Sequence, residues 1–257
     1  MRGFRELDRV LRGTAVPVPG GTSGGSGVPI GPLLVVDVFL AAFYGVCMGA
    51  FGVFGRGEPD VRYLLADAIK VPLLFVLTIA VTAPSLYVFG ALVGSRLTVL
   101  DLARAFVAAL GVLVAVLAAF GPIVAFFSVT TSSYPFIMLL NVAVFALAAV
   151  FAVGFLLRTA DRSTPMEALP ESEPEVPPEE SERPRRPWER PVAPGPDSKV
   201  RAVYWGWLVV FALVGAQMSW VLRPFIGTPR AEFAWFRPRE GSFFEGVATA
   251  LRQLFGG

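Results

Sequence analysis

Residues 105–128 read AFVAALGVLVAVLAAFGPIVAFFS and contain no charged side chain. A helix rises about 1.5 Å per residue and the hydrocarbon core of a bilayer is about 30 Å thick, so a block of this length can cross it. Similar apolar blocks occupy about 33–55, 71–94, 135–157 and 203–222. The sequence therefore predicts an all-α fold, a polytopic membrane helix bundle with about five transmembrane helices.

Composition agrees with a membrane protein and excludes several kinds of chemistry. Hydrophobic residues make up 54% of the 257 residues and charged residues 16%, against about 25% charged in soluble domains. The net charge of +2 gives no sign of nucleic-acid binding. There is no histidine, and Cys47 is the only cysteine, so a Ser-His-Asp triad, an HExxH zinc site and an intrachain disulfide are excluded. We predict no catalytic residue, no metal site and no cofactor, and we do not expect an enzyme.

The apolar blocks and the segments between them divide the chain into five parts. These are an amphipathic arm with a flexible linker (1–31), a four-span membrane region (32–158), a disordered linker rich in Pro, Glu and Arg (159–200), a fifth transmembrane helix (201–227) and an amphipathic interfacial segment (228–257). Amphipathic interfacial helices are thus expected at both ends of the bundle. Within the membrane region, the charged stretch 56–70 is interpreted as a connector lying along the interface.

The distribution of positive charge predicts an orientation. With five spans, 14 Lys and Arg residues fall on the side of the N-terminus and 8 on the other side. Positive charge concentrates on the cytoplasmic side of membrane proteins. We therefore expect a protein of the bacterial cytoplasmic (inner) membrane, with the N-terminus and the 159–200 linker in the cytoplasm.

Small residues in the first span indicate a helix-packing face. Gly45 and Gly49 form a GxxxG pair, and such pairs let two helices approach closely. Glycine is also generally enriched in membrane helices, which is the alternative explanation.

Three polar residues within the spans are candidates for intramembrane sites. Asp37 lies about one turn into the first span, where it is either a functional intramembrane acid or an interfacial residue. If it is buried, Arg96 or Arg104 is the expected partner. Asn141 and Gln217 are expected to form hydrogen bonds between helices, and we favour a packing role over a functional one.

The stretch GAQMSWVLRPFIG at 215–227 adds Arg223 to these candidates. Arg223-Pro224 follows about twenty apolar residues, which favours a helix that leaves the bilayer there, with Arg223 reaching the headgroups. Glu240 or Glu245 would be its nearest acidic partners. The alternative is a buried polar site. Ser242 and Glu245 have the spacing of a capping box and predict a short helix after this exit.

Three stretches resemble an uncharacterised family of bacterial polytopic membrane proteins. They are KVPLLFVLTIAVTAPSLYVFGALVGSRL (70–97), SSYPFIMLLNVAVFALA (132–148) and the C-terminal GAQMSWVLRPFIG…FRPREGSFFE. The resemblance implies no catalytic residue. In architecture alone, five spans after a cytoplasmic N-terminus, the chain is also similar to Yip1-type proteins.

Two classes of function remain open. Helix-packing stripes, a charged linker and amphipathic ends favour a non-catalytic scaffold or assembly component of a bacterial membrane complex. Prolines within spans and scattered polar residues favour a small-solute transporter or channel subunit. The expected partners are membrane lipid and other membrane proteins or a second copy of the chain, but not nucleic acid.

Overall fold

The computed structural model describes residues 2–14, 29–54, 60–92, 99–162, 198–223, 225–226, 233–236 and 241–256. These residues form helices and irregular connections, without a strand among them. The helices are α1 (Arg2–Leu11), α2 (Ile30–Phe54), α3 (Arg62–Leu92), α4 (Val99–Thr130), α5 (Tyr134–Arg162), α6 (Ser198–Val221) and α7 (Phe243–Phe255).

Four of these helices are long and apolar enough to cross a membrane. The qualifying segments are Ile30–Phe54, Arg62–Ser85, Ala103–Thr130 and Tyr134–Arg158, and α6 contributes a shorter apolar segment, Leu208–Val221. An all-α membrane bundle is therefore confirmed, and the chain is an integral membrane protein.

Helix α2 lies at the centre of the bundle. It packs against α3 on one side and α4 on the other, while α5 packs on α4 and α6 packs on α3. The main core contains the buried side chains of Tyr44, Phe51, Val71, Leu117 and Ile137, which come from α2, α3, α4 and α5. This central place explains why α2 buries small residues as well as large ones.

The interpretation of 56–70 as an interfacial connector is wrong for residues 62–70, which form the first turns of α3. Tyr63, Asp67, Lys70 and Val71 are buried on one continuous face. Pro72 lies within α3, and the helix continues past it because packing against α2 outweighs the lost hydrogen bond. A charged sequence at a helix start can thus still belong to a membrane helix.

The ends of the predicted 159–200 linker are helical in the structure. Helix α5 continues to Arg162 and α6 begins at Ser198. Residues 163–197 lie outside the described residues, so the predicted disorder of the linker stays a prediction.

The two amphipathic helices lie at opposite ends of the bundle. Helix α1 packs on α2 and α4 and buries Gly3, Leu7 and Val10 there. Helix α7 packs on α5 and α6. It begins with a capping box, in which the backbone N–H of Glu245 donates to Ser242 Oγ at 3.4 Å and the N–H of Ser242 donates to the Glu245 carboxylate at 3.0 Å.

Candidate intramembrane binding cavity

A cavity of about 1300 Å³ lies between α3, α4, α5 and α6, with Met48 of α2 behind it and α7 across one end. Pockets that hold drug-sized ligands measure roughly 300–1,000 Å³. Its lining on α5 extends from Tyr134 to Leu156, a distance of about 33 Å at the rise of an α-helix. The cavity therefore covers most of the thickness of a hydrocarbon core.

Polarity changes from one end of the cavity to the other. At the end covered by α7, the lining includes a group of polar side chains that we call the rim: Ser132, Ser133, Ser219, Arg223, Glu245, Thr249 and Gln253. At the opposite end, which we call the floor, the lining consists of Phe106, Leu156 and Leu208, which belong to one apolar cluster. The cavity is thus amphipathic along its length.

Polar groups between the rim and the floor are already hydrogen-bonded. The hydroxyl of Thr78 donates to the Leu74 carbonyl at 2.7 Å. Asn141 Nδ2 donates to the Ile137 carbonyl at 2.9 Å, and Asn141 Oδ1 accepts from the Tyr44 hydroxyl at 2.8 Å. The middle of the cavity therefore presents mainly carbon to an occupant.

The cavity opens sideways between α5 and α6. Along their described lengths these two helices make no extended contact with each other. Ala146 on α5 and Ala212 on α6 both line the cavity and are exposed. We call this opening the window. Small side chains at its edges leave the gap between the two helices unfilled.

Arg223 is held at the rim by aromatic contact. Its Cζ lies 4.1 Å from the centroid of the Trp220 ring, within the range of a cation–π interaction. Trp220 is itself fixed, since its Nε1–H donates to the Gly241 carbonyl at 3.1 Å and its ring packs on Gly246 of α7. Helix α6 ends at Val221, so the described residues of the 215–227 stretch include both the end of a helix and part of the cavity lining.

Of the two acidic partners predicted for Arg223, only Glu245 lies within the described residues. The Glu245 carboxylate accepts from the backbone of Ser242 within the capping box. Glu240, the other predicted partner, lies outside the described residues, as does Pro224.

The other predicted polar residues do not share the cavity with Asn141 and Arg223. Gln217 is exposed on α6, and the interhelical hydrogen bond predicted for it is not formed within the described residues. Asp37 is only 1% exposed and lies beneath α1. A path lined by Asp37, Asn141 and Gln217 together is therefore absent from the described residues.

Asp37 has a glycine opposite its carboxylate. A Cβ placed on Gly111 of α4 would lie 3.1 Å from Asp37 Oδ1 and 3.0 Å from Leu7 Cδ1 of α1. Within the described residues the carboxylate oxygens accept no hydrogen bond, so the predicted bond from Arg104 is not formed. Arg96 lies outside the described residues.

Gly45 and Gly49 lie where α2 meets α3. A Cβ on Gly45 would clash with the Asp67 backbone, with the carbonyl carbon 2.6 Å away, and one on Gly49 would lie 3.0 Å from the Tyr63 carbonyl oxygen. The GxxxG pair thus forms an intramolecular contact between backbones.

Sequence reasoning missed two buried charged residues, Asp67 and Lys70, because they stand in the stretch interpreted as a connector. Both are buried and they interact electrostatically. Lys70 Nζ lies 5.9 Å from the Phe225 ring centroid and 5.5 Å from that of Phe236. The spacing of Asp67 and Lys70 on one helical face is the signal that could have revealed them.

Comparison of the chain with protein-family models, curated proteins and solved structures finds no match. The resemblance to a bacterial family therefore stays a prediction, and the cavity is the feature of the structure that bears on function.

Proposed function

We propose that this integral membrane protein binds a lipid-like, amphipathic molecule in the cavity between α3, α4, α5 and α6. One observation carries the proposal: the cavity is large, apolar over most of its length, polar at one end and open to the side. An occupant that matches it has a long hydrocarbon part and a polar head. Such molecules are membrane lipids, and they can enter through the window without crossing water.

A small-solute transporter or channel is supported less well by the same geometry. A hydrated solute needs polar groups along its path, and here Asn141 and Thr78 already bond within the protein. Asp37 and Gln217 do not line the cavity.

Filling the cavity tests the proposal. Ala212→Trp on α6 and Ala149→Trp on α5 introduce an indole into the space that the occupant would need. Val210→Trp is the matched control, because Val210 is 46% exposed on the same helix and does not line the cavity. Each protein is purified in mild detergent and its bound lipid is counted by native mass spectrometry.

We expect the wild type and Val210→Trp to retain bound lipid, and the two cavity variants to lose most of it. Equal lipid retention in all four proteins would show that the lipid sits on the outer surface, and the proposal would be wrong.

The exposed position of Gln217 supports a second proposed role for the protein, as a non-catalytic scaffold or assembly component of a bacterial membrane complex. Its amide is exposed on a membrane helix, and an amide facing lipid costs free energy unless another helix hydrogen-bonds with it. That helix would belong to another membrane protein or to a second copy of the chain. Chemical crosslinking in membranes should give a crosslinked partner that Gln217→Leu reduces, and an unchanged crosslinking pattern would contradict this role.

A further inference from the structure

We infer that the lipid bound in the cavity carries a phosphate headgroup, held at the rim by Arg223, with its hydrocarbon chains directed toward the floor. This inference rests on the proposed function and adds the chemical class of the ligand and its direction. Arginine is suited to phosphate because its planar guanidinium can donate two parallel hydrogen bonds to two phosphate oxygens.

The position of Arg223 is set before any ligand binds. Its guanidinium lies 4.1 Å above the Trp220 ring, and Trp220 is tied to Gly241 by a hydrogen bond of 3.1 Å. Stacking engages the face of a guanidinium, whereas its hydrogen-bond donors point outward in the plane of the group. Arg223 thus contributes a positive charge at the rim, where the apolar lining of the cavity ends.

The other side chains of the rim are suited to binding a polar headgroup that contains a phosphate. Ser132 and Ser133 line the cavity at the start of α5, and serine hydroxyls donate readily to phosphate oxygens. Glu245 is also part of the rim, and its charge would oppose an anion. That charge is engaged at the N-terminus of α7, where its carboxylate accepts from the Ser242 N–H at 3.0 Å and the helix dipole favours it.

The floor fixes the direction of the ligand. Phe106, Leu156 and Leu208 enclose that end with carbon, and a phosphate there would lose its hydration without a compensating hydrogen bond. The headgroup therefore belongs at the rim and the chains at the floor.

Lipids that differ only in the headgroup test the inference. The purified full-length protein is titrated with phosphatidylglycerol and with diacylglycerol of identical chains, and binding is followed by native mass spectrometry. We expect Arg223→Gln to weaken phosphatidylglycerol binding by about tenfold, the equivalent of about 1.4 kcal/mol, and to leave diacylglycerol binding unchanged. Arg223→Lys should restore part of the preference, because it keeps the charge but loses the bidentate geometry.

Glu245→Gln is the matched variant at the same rim. It removes the negative charge but keeps the capping box, in which Gln can replace Glu. We expect it to bind phosphatidylglycerol more tightly than the wild type. Excess inorganic phosphate should not displace the lipid, since the chains contribute much of the binding; displacement would mean that the site takes the free anion.

The inference and the proposed function fail in different ways. If the wild type binds diacylglycerol and phosphatidylglycerol equally well, and Ala212→Trp abolishes both, the cavity binds lipid but the phosphate assignment is wrong. If Ala212→Trp changes neither, the proposed function itself is wrong. If Arg223→Gln and Arg223→Lys weaken both lipids equally, Arg223 supports the fold and does not hold the headgroup.

Discussion

The hydrogen bond between Tyr44 and Asn141 joins α2 to α5 inside the bundle. The Tyr44 hydroxyl donates to Asn141 Oδ1 at 2.8 Å, and both side chains are buried. Tyr44→Phe leaves an amide oxygen without this donor in an apolar core. We expect a loss of roughly 0.6–2 kcal/mol in the free energy of unfolding, measured by thermal or denaturant unfolding in detergent.

Tyr87→Phe is the control for this prediction, because Tyr87 is 47% exposed on α3 and the same hydroxyl is removed. An equal effect of the two substitutions would show that the Tyr44–Asn141 bond contributes no stability of its own. A double-mutant cycle with Asn141→Ala isolates the energy of the pair.

The buried polar residues show which side-chain contacts the sequence can predict and which it cannot. A polar side chain within an apolar block predicts that Asn141 needs a partner, because an unsatisfied amide is costly in a membrane. It does not identify Tyr44, which is 97 residues away in the chain and looks like an ordinary membrane aromatic. Charge at the start of a span normally indicates the interface, so the sequence does not reveal that Asp67 and Lys70 are buried. In the structure, Asp67 lies against Gly49, and Lys70 lies near the rings of Phe225 and Phe236.

At the scale of elements, the contact between α2 and α3 depends on glycine. A side chain at Gly45 would meet the Asp67 backbone, and one at Gly49 the Tyr63 carbonyl. Neither backbone can move without separating the helices. Gly45→Leu and Gly49→Leu should therefore each destabilise the bundle by about 1–3 kcal/mol or more, seen as a lower unfolding temperature in detergent.

The control is Gly154→Leu on α5, where an added Cβ would meet nothing within 4 Å. We expect its effect to stay within about 0.5 kcal/mol, as at surface positions. If Gly45→Leu unfolds at the same temperature as Gly154→Leu, α2 and α3 are not in close backbone contact.

The amphipathic helices show a limit of sequence patterns. Their apolar faces predict that α1 and α7 lie against something apolar, but a bilayer and the side of a bundle are equally apolar. In the structure, Leu7 and Val10 pack on α2 and α4, while Phe4 and Leu11 are exposed. Likewise, α7 buries Ala250 and leaves Phe244 and Phe255 exposed. Each helix thus has one face for the bundle and one for lipid, and tertiary contact decides which residues serve which face.

At the scale of the whole molecule, the cavity could not be predicted, because it arises from the way four helices diverge. Each of α3, α4, α5 and α6 has the composition of an ordinary membrane helix. The cavity exists because α6 packs on α3 and α5 packs on α4, while α5 and α6 make no extended contact with each other within the described residues. In the sequence, the window is indicated just by small side chains such as Ala146 and Ala212.

The positions of α1 and α7 at opposite ends of the bundle lead to a prediction about topology. Helix α1 contacts Pro32 and Val36 near the start of α2, whereas α7 contacts Met138 near the start of α5 and Trp220 near the end of α6. With α6 crossing the bilayer as a fifth span, the two helices face different compartments. The bias of Lys and Arg then favours α1 on the cytoplasmic side.

Single cysteines at exposed positions test this topology. Cys47→Ala supplies a background without cysteine, into which Arg12→Cys on the end of α1 or Arg252→Cys on α7 is introduced. A membrane-impermeant maleimide should label Arg12→Cys only in inverted vesicles and Arg252→Cys only in spheroplasts. Unsubstituted Cys47, at 8% exposure, should be labelled in neither. Labelling of both variants from one side would contradict a bundle with α1 and α7 at its opposite ends. An exchange of the two patterns would keep the five-span bundle and reverse its orientation.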